Sequence, residues 1–373
     1  MRRAALHILA SARKAFRKAA RTSAGTLAAL GAALLCLSSC SVHEWPDTGT
    51  LALLKLDFSF ATDLPPYLEI EYGTKTETSP EDYDVRYKVK FYPQLPGGGY
   101  DSSPAELYSL TLTKDDITEL NWSAVTALPE GKWQIRCWAD YVAQGSSEDL
   151  FYNTQDFSAI TLPDEHTANS DRKDAFLGSA EVELYRVGSR EEPVTATLEM
   201  ERPLAKFQFI ATDLRQLTTK VLRERMKHRG TSDIDASGAD ATGTPVEQSL
   251  DPEDYYIRFY YTSYMPCVFN IYTNKPVDSR AGVQFESGFT PISDGEVLMG
   301  YDYVLVNGVE SSVQVQVALY ERGTDELLSL TPSVTVPLKR SKVTTVRGEF
   351  LTLGAGGGLS VNPDFDDEYN VFL

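Results

Sequence analysis

From Leu51 onward the chain alternates apolar and polar side chains in short runs, separated by clusters of Pro, Gly and Ser. Val85-Arg86-Tyr87-Lys88-Val89-Lys90-Phe91 and Val313-Gln314-Val315-Gln316-Val317-Ala318-Leu319-Tyr320 follow period two, the pattern of a strand with one buried and one wet face. This reading predicts strands over Leu51–Phe60, Tyr67–Tyr72, Val85–Tyr92, Leu107–Leu112, Trp133–Tyr141 and Ala180–Val187. A polar, turn-like break spans Gly188–Pro193. A second series covers Val194–Met200, Ala205–Thr212, Tyr255–Tyr261, Val268–Tyr272, Val283–Ser287, Glu296–Val306, Val313–Tyr320, Ser333–Pro337 and Lys342–Leu353, with a last strand at Tyr369–Leu373. Short strands with turn signals between them predict an all-β protein of two tandem sandwiches, residues 51–193 and 194–373. No sequence repeat of fixed short period is present, which argues against a solenoid or propeller.

One segment breaks the period. Asp213 can cap a helix over Leu214–Lys227, with Leu214, Leu217, Val221 and Leu222 at helical spacings. Lys220, Arg223, Arg225 and Lys227 make it basic. Contact with lipopolysaccharide phosphates or an acidic partner is one reading; a solvated face beside carboxylates of the same fold is the favoured one. Residues 229–251, rich in Gly, Ser, Ala, Thr and Asp, are expected to form a mobile loop.

The first 39 residues follow neither pattern. They contain seven Arg or Lys and no acid, then an apolar run over Ala24–Leu37 ending Leu37-Ser38-Ser39-Cys40. A basic start, a short apolar core and small residues at the cut make a secretory signal, residues 1–39. The run is too short to span a bilayer. Leu-Ser-Ser-Cys resembles a bacterial lipobox, which implies cleavage between Ser39 and Cys40 and acylation of Cys40, palmitate included. Residues 40–50 then form a lipidated tether to the outer membrane. Cleavage removes seven of the 35 basic residues and none of the 53 acidic ones, so the formal charge moves from −18 to −25 over 334 residues. An acidic body of this kind is repelled by phosphate-rich surfaces, which argues against a nucleic-acid binder.

Candidate chemistry is sparse. Of the mature cysteines, Cys137 and Cys267 remain after Cys40 is lipidated. Cys137 falls on the apolar face of Trp133–Tyr141 and reads as a small buried hydrophobe; a bridge to Cys267 is a minor alternative. His43, His166 and His228 form no ligand-spaced pair, and there is no His-Glu-x-x-His, Cys-x-x-Cys, nucleophile elbow or phosphate loop. No catalytic residue, cofactor or metal is therefore assigned, although a glycosidase needs only two suitably spaced carboxylates. Asn362–Asn370 superficially resembles a calcium loop but lacks the turn glycine and later Glu, so a turn into the last strand is the simpler reading. Trp45, Trp122 and Trp138, the last on the polar face of its strand, are the candidates for a sugar-stacking platform; packing explains each as well.

Several segments resemble the Bacteroidota fimbrial anchor lipoproteins, the FimB-like, fimbrillin-associated group, and their relatives of unknown function. They are Cys40-Ser41-Val42-His43-Glu44-Trp45-Pro46-Asp47, Asp82-Tyr83-Asp84-Val85-Arg86-Tyr87, Met200-Glu201-Arg202-Pro203-Leu204-Ala205-Lys206-Phe207, Lys275-Pro276-Val277-Asp278-Ser279, Gly300-Tyr301-Asp302-Tyr303-Val304, Val336-Pro337-Leu338-Lys339-Arg340 and Asn362-Pro363-Asp364-Phe365-Asp366. The resemblance implies two tandem transthyretin-like or Ig-like β-sandwiches on a lipid tether at the outer membrane, facing outward. Stalk subunits of that pilus class lose their first strand to an Arg-specific protease and accept a neighbour's strand. No Arg lies between Cys40 and Arg86 here, so the first strand is expected to stay. The resemblance thus implies a non-enzymatic protein that anchors or terminates a fimbria. Asn370, Val371, Phe372 and Leu373 are the strand it would offer to fimbrial subunits. A surface glycan-binding lipoprotein of a saccharide-uptake system is the alternative.

Overall fold

The computed structural model describes residues 51–60, 82–101, 108–115, 121–185, 192–229, 250–293, 295–308, 310–353, 360–361 and 369–372. The signal segment with Ser39, the Cys40 tether, the strand expected at Tyr67–Tyr72, Leu373 and nearly all of the 229–251 loop lie outside the described residues.

The first strands are β1 (Leu51–Phe60), β2 (Tyr83–Pro93), β3 (Ser109–Lys114), β4 (Trp122–Pro129), β5 (Gly131–Ala143), β6 (Ile160–Thr161), β7 (Ala175–Leu184) and β8 (Val194–Met200). All but β6, which pairs with β11, make two sheets, ordered β4-β1-β8 and β3-β2-β5-β7. Alternation decides what lies between them. Leu54, Leu56 and Phe58 of β1 face inward and are buried, with Phe58 4.6 Å from Tyr87 of β2 and Phe60 4.9 Å from Phe176 of β7. Burying each such side chain is worth roughly 1.5–3 kcal/mol.

The sequence break at Gly188–Pro193 is not where the sandwiches part. Val194–Met200 pairs in parallel with β1, Leu54 opposite Val194 through Phe60 opposite Met200, so β8 completes the first sandwich. The chain passes to the second within the next few residues, Glu201–Pro203.

The second set is β9 (Leu204–Ala211), α1 (Leu214–Arg229), β10 (Tyr255–Tyr261), β11 (Met265–Asn270), β12 (Lys275–Arg280), β13 (Gln284–Ser287), β14 (Thr290–Ser293), β15 (Glu296–Leu305), β16 (Glu310–Glu321), β17 (Glu326–Leu330), β18 (Val334–Lys339), β19 (Val343–Gly348), β20 (Ser360–Val361) and β21 (Tyr369–Phe372). One sheet runs β14-β15-β9-β19-β21-β20; the facing one runs β13-β10-β16-β17, with β18 also on β16. The arrangement repeats that of the first sandwich without a sequence repeat. β1 lies between antiparallel β4 and parallel β8, as β9 lies between antiparallel β15 and parallel β19. Phe209 of β9 packs 5.5 Å from Phe259 of β10 across this second core.

β11 and β12 depart from the repeat. β10 ends at the junction, and β11 continues alongside the first sandwich, where Phe269 pairs with Ile160 of β6. Tyr272 meets Tyr92, hydroxyl to hydroxyl, at 2.7 Å. Both sandwiches therefore belong to one unit, residues 48–373.

Asp213 does precede α1, but its buried carboxylate turns elsewhere. It accepts from the backbone N–H groups of Leu351 and Thr352 and the Thr352 hydroxyl, tying the end of β9 to the segment after β19.

Candidate functional site

Between β6 and β7 the chain carries four consecutive charges, Asp171-Arg172-Lys173-Asp174. In sequence this reads as a solvated turn. In the fold it is a 3-10 turn capped by Ser170, and it lies at the junction of the two sandwiches. Each charge reaches out of the turn to another part of the fold. Asp171 accepts from Lys206 of β9 at 2.6 Å and from the Tyr303 hydroxyl of β15 at 3.0 Å. The Arg172 guanidinium lies 5.4 Å from the Tyr83 ring and 5.7 Å from the Tyr141 ring, both in the first sandwich. Lys173 donates to Asp302 of β15 at 2.6 Å. Asp174 takes a two-pronged contact from Arg202, at 2.7 and 2.6 Å, in the connector between β8 and β9.

Asp302 is the hub. Its Oδ1 accepts from Lys173 and from the backbone N–H of Tyr303 at 2.8 Å; its Oδ2 accepts from Tyr261 at 2.5 Å and faces His166 Nε2 at 2.7 Å. A carboxylate only accepts, so the imidazole carries its proton on Nε2. Burial raises the Asp302 carboxyl, but the neighbouring Lys173 and then His166 outweigh it and hold it down at about 2.

A second buried cluster sits inside the first sandwich. Arg86 of β2, fully buried, grips Asp140 of β5 at 2.9 and 2.7 Å and reaches Asp149 at 2.8 Å. Thr154 and the carbonyl of Ser147 complete its donors' partners at 3.2 and 2.8 Å. Asp149 and Thr154 belong to the segment after β5, so this cluster pins that segment over the sheet. Charges so fully paired hold geometry and leave no open base or nucleophile. Among the described residues no group of three His, Cys, Asp or Glu is placed to hold a metal.

The C-terminal candidate strand lies in β21. Tyr369 and Asn370 stand opposite Val346 and Arg347 of β19, in parallel; Val371 and Phe372 stand opposite Val361 and Ser360 of β20. These two short pairings are its only ladder contacts among the described residues. Asn362–Glu368, the calcium-like stretch, lies outside them.

The aromatic platform does not assemble. Trp138, expected on the wet face, is fully buried, because the segment after β5 and β11 cover that face: its ring meets Tyr152 at 5.3 Å and Phe269 at 6.2 Å. Trp122 stacks on Phe58 at 5.3 Å, and Trp45 lies outside the described residues. Cys137 and Cys267 are both buried free thiols, so the minor alternative of a bridge is not realised. None of the junction charges was picked out from sequence, since charged residues in a polar turn carry no burial signal. Yet Arg86, Arg202, Lys206 and Asp302 all lie in the segments that carry the family resemblance.

Two tandem β-sandwiches with a single α-helix among the described residues, clamped together by buried ion pairs, define an all-β protein. Residues 49–372 match the model of a family of unknown function, DUF6562, and the chain belongs to that family. No curated protein matches. Among solved structures it is similar to a candidate adhesin from Bacteroides thetaiotaomicron, at 11% identity and TM-score 0.39, covering 77% of this chain and 82% of that one. It is also similar to a candidate polysaccharide-binding protein from the same organism, at 13% identity and TM-score 0.37, covering 75% and 79%. A third is the fimbrial anchor protein Mfa2 from Porphyromonas gingivalis, at 11% identity and TM-score 0.35, covering 75% and 82%. Fimbrial anchor and adhesin structures from Bacteroidota are thus among its matches, as the sequence resemblance implies.

Proposed function

We propose that this is a non-enzymatic lipoprotein, tethered through Cys40 to the outer membrane at the cell surface, that anchors or terminates a fimbria through β-strand contacts. The observation that carries the reading is the state of β1. It is the central strand of its sheet, with Leu54 and Leu56 buried and both edges engaged by β4 and β8. The stretch from Cys40 to Phe60 contains no Arg at which the usual processing would release it. A protein that keeps this strand has no vacant groove for an incoming one, which suits the end of a polymer better than its repeating unit. The strand it would offer is Asn370–Leu373; among the described residues, Asn370–Phe372 is held to its own chain by the short β19 and β20 pairing. The glycan-binding alternative loses its main aromatic candidate with the burial of Trp138.

The test is deletion of residues 370–373 in the full chain, followed by recovery of cell-attached fimbriae and co-purification of their subunits. Loss of both, with the protein still in the membrane fraction, is expected; unchanged co-purification overturns the role of this strand. Cys40→Ala should move the protein out of the membrane fraction, and retention there would overturn the lipid tether.

A further inference from the structure

An asparagine followed by glycine is the pair at which a peptide chain most readily attacks itself. The glycine nitrogen can close on the asparagine carboxamide, because no Cβ shields it. The chain has one such pair, Asn307-Gly308, between β15 and β16, and both residues are exposed. Val306, just before it, donates its N–H to the Pro203 carbonyl at 3.1 Å. The pair therefore sits at the rim of the junction, beside the connector Glu201–Pro203.

Whether such a pair reacts depends on whether the fold holds its two groups still. Elsewhere it does. Asn121 Oδ1 accepts from the Phe60 N–H at 2.7 Å, Asn169 Oδ1 from the Tyr301 N–H at 2.8 Å and Asn270 Oδ1 from the Thr273 N–H at 3.0 Å. Asn274 Oδ1 accepts from Arg340 at 3.0 Å. Asn153 Oδ1 accepts from the Gln155 N–H at 3.2 Å, and the nitrogen that follows it, on Thr154, donates to Asp149 at 3.2 Å. A carboxamide bonded in this way cannot turn its Cγ towards the next nitrogen without losing the bond. Asn307 has no such restraint among the described residues: its carboxamide makes no hydrogen bond, and no backbone acceptor takes the Gly308 N–H. Gly308 stands at a φ of +69° with nothing within 4 Å of where a Cβ would be, so this turn has room to change shape.

We propose that Asn307 is a site of spontaneous deamidation in the folded protein, with water as the only co-reactant. The Gly308 nitrogen forms a bond to Asn307 Cγ and gives up its proton. The Cγ–Nδ2 bond breaks, and Nδ2 leaves with that proton as ammonia. Water then opens the cyclic imide at one carbonyl or the other. One opening gives aspartate; the other gives isoaspartate, whose backbone runs through Cγ and is longer by one methylene. Either product puts a new negative charge beside the connector, on a chain that already carries −18.

The experiment incubates the folded full chain at mildly alkaline and mildly acidic pH and maps its peptides by mass spectrometry. The peptide spanning Asn307 is expected to become about 1 Da heavier, in two chromatographically separate forms. The conversion should be faster at the alkaline pH, where the attacking nitrogen loses its proton more easily. A protein isoaspartate methyltransferase should label one of the two forms. Conversion at Asn307 should run on the order of tenfold ahead of Asn121, Asn153, Asn169, Asn270 and Asn274, as an unshielded nitrogen and an unbonded carboxamide require. Asn307→Gln, whose longer side chain closes a less favourable ring, should remove the labelling without moving the thermal midpoint. Asn307 staying intact while a synthetic peptide of the same sequence converts overturns the inference. So does conversion spread evenly over the asparagines. Neither result bears on the anchoring reading, which is tested by the deletion and Cys40→Ala variants above.

Discussion

Lys173 Nζ lies 2.6 Å from Asp302 Oδ1, with both side chains out of contact with water. The lysine belongs to the turn before β7 and the aspartate to β15, so this one ion pair joins the first sandwich to the second. Its neighbours do the same: Lys206 with Asp171 crosses the junction, and Arg202 with Asp174 braces the connector. Removing one partner of a buried pair strands the other charge, which costs about 3–5 kcal/mol. Asp302→Ala should therefore lower stability by about that amount in urea unfolding. Lys173→Met with Asp302→Leu should recover only the part due to the stranded ammonium, because Tyr261 and His166 still lose their acceptor. A single substitution costing under about 1 kcal/mol would show that the pair does not hold the junction.

The same carboxylate sets a pH dependence whose sign is fixed. Asp302 sits at about 2 in the folded protein against an ordinary 3.8. Below both values it is protonated whether folded or not and contributes nothing; above 3.8 it is ionised in both states and its full contribution is present. The stability it supplies, about 2 kcal/mol by linkage, is therefore lost as pH falls from about 4 to about 2. Urea midpoints of the wild type and Asp302→Asn should be well separated at pH 6 and converge by pH 2. A separation that stays constant over that window would contradict the assigned shift.

Much of this fold was legible from period-two patterning. β1, β8 and β10 begin and end where alternation places them, and Cys137 is buried on the face it predicts. β4 escaped because Trp122–Pro129 is half exposed on both faces and built largely of small residues. β12 escaped because a polar edge strand lacks an apolar face to read, and β17 because its adjacent Leu327 and Leu328 break the alternation. The domain boundary was misplaced for a different reason: a polar break marks where a chain turns, whereas sheet membership depends on where it pairs afterwards. The junction was the least legible part. Asp171, Lys173 and Asp174 acquire meaning only through Lys206, Asp302 and Arg202, which lie 28 to 129 residues away. No local pattern distinguishes such a buried turn from a solvated one.

Gly300 is the one position of β15 where a side chain has no room. A Cβ there would lie 2.8 Å from the Phe259 ring, 3.0 Å from Ser287 Oγ and 3.1 Å from Asn169 Oδ1, at a φ of +155°. Asn169 is itself held in place, since its Oδ1 accepts from the Tyr301 N–H at 2.8 Å. Gly300→Ala should cost about 1–3 kcal/mol by overpacking, plus backbone strain. At Gly178 the tightest contact, 2.6 Å, is the end of the flexible Met200 side chain. Gly178→Ala should accordingly be milder, and equal thermal shifts for the two variants would refute the difference.

Trp138 separates a structural from a glycan-binding role most directly. Alternation along β5 puts it opposite Trp133, Ile135 and Cys137, on what would be the wet face of an isolated sandwich. That face is instead roofed by Tyr152 and by Phe269 of β11, which reaches across from the second sandwich. Truncating a buried indole leaves a cavity that rigid neighbours fill poorly, at a cost of about 3–5 kcal/mol. Because the roof comes from both sandwiches, the loss should loosen β11 along with the segment after β5. Trp138→Ala should therefore lower the thermal midpoint by many degrees. Hydrogen exchange should quicken at Ile160, Thr161, Val268 and Phe269, the residues of the β6–β11 pairing. A stable variant whose only defect was lost glycan binding would instead mean that the indole faces solvent and that the platform reading was right.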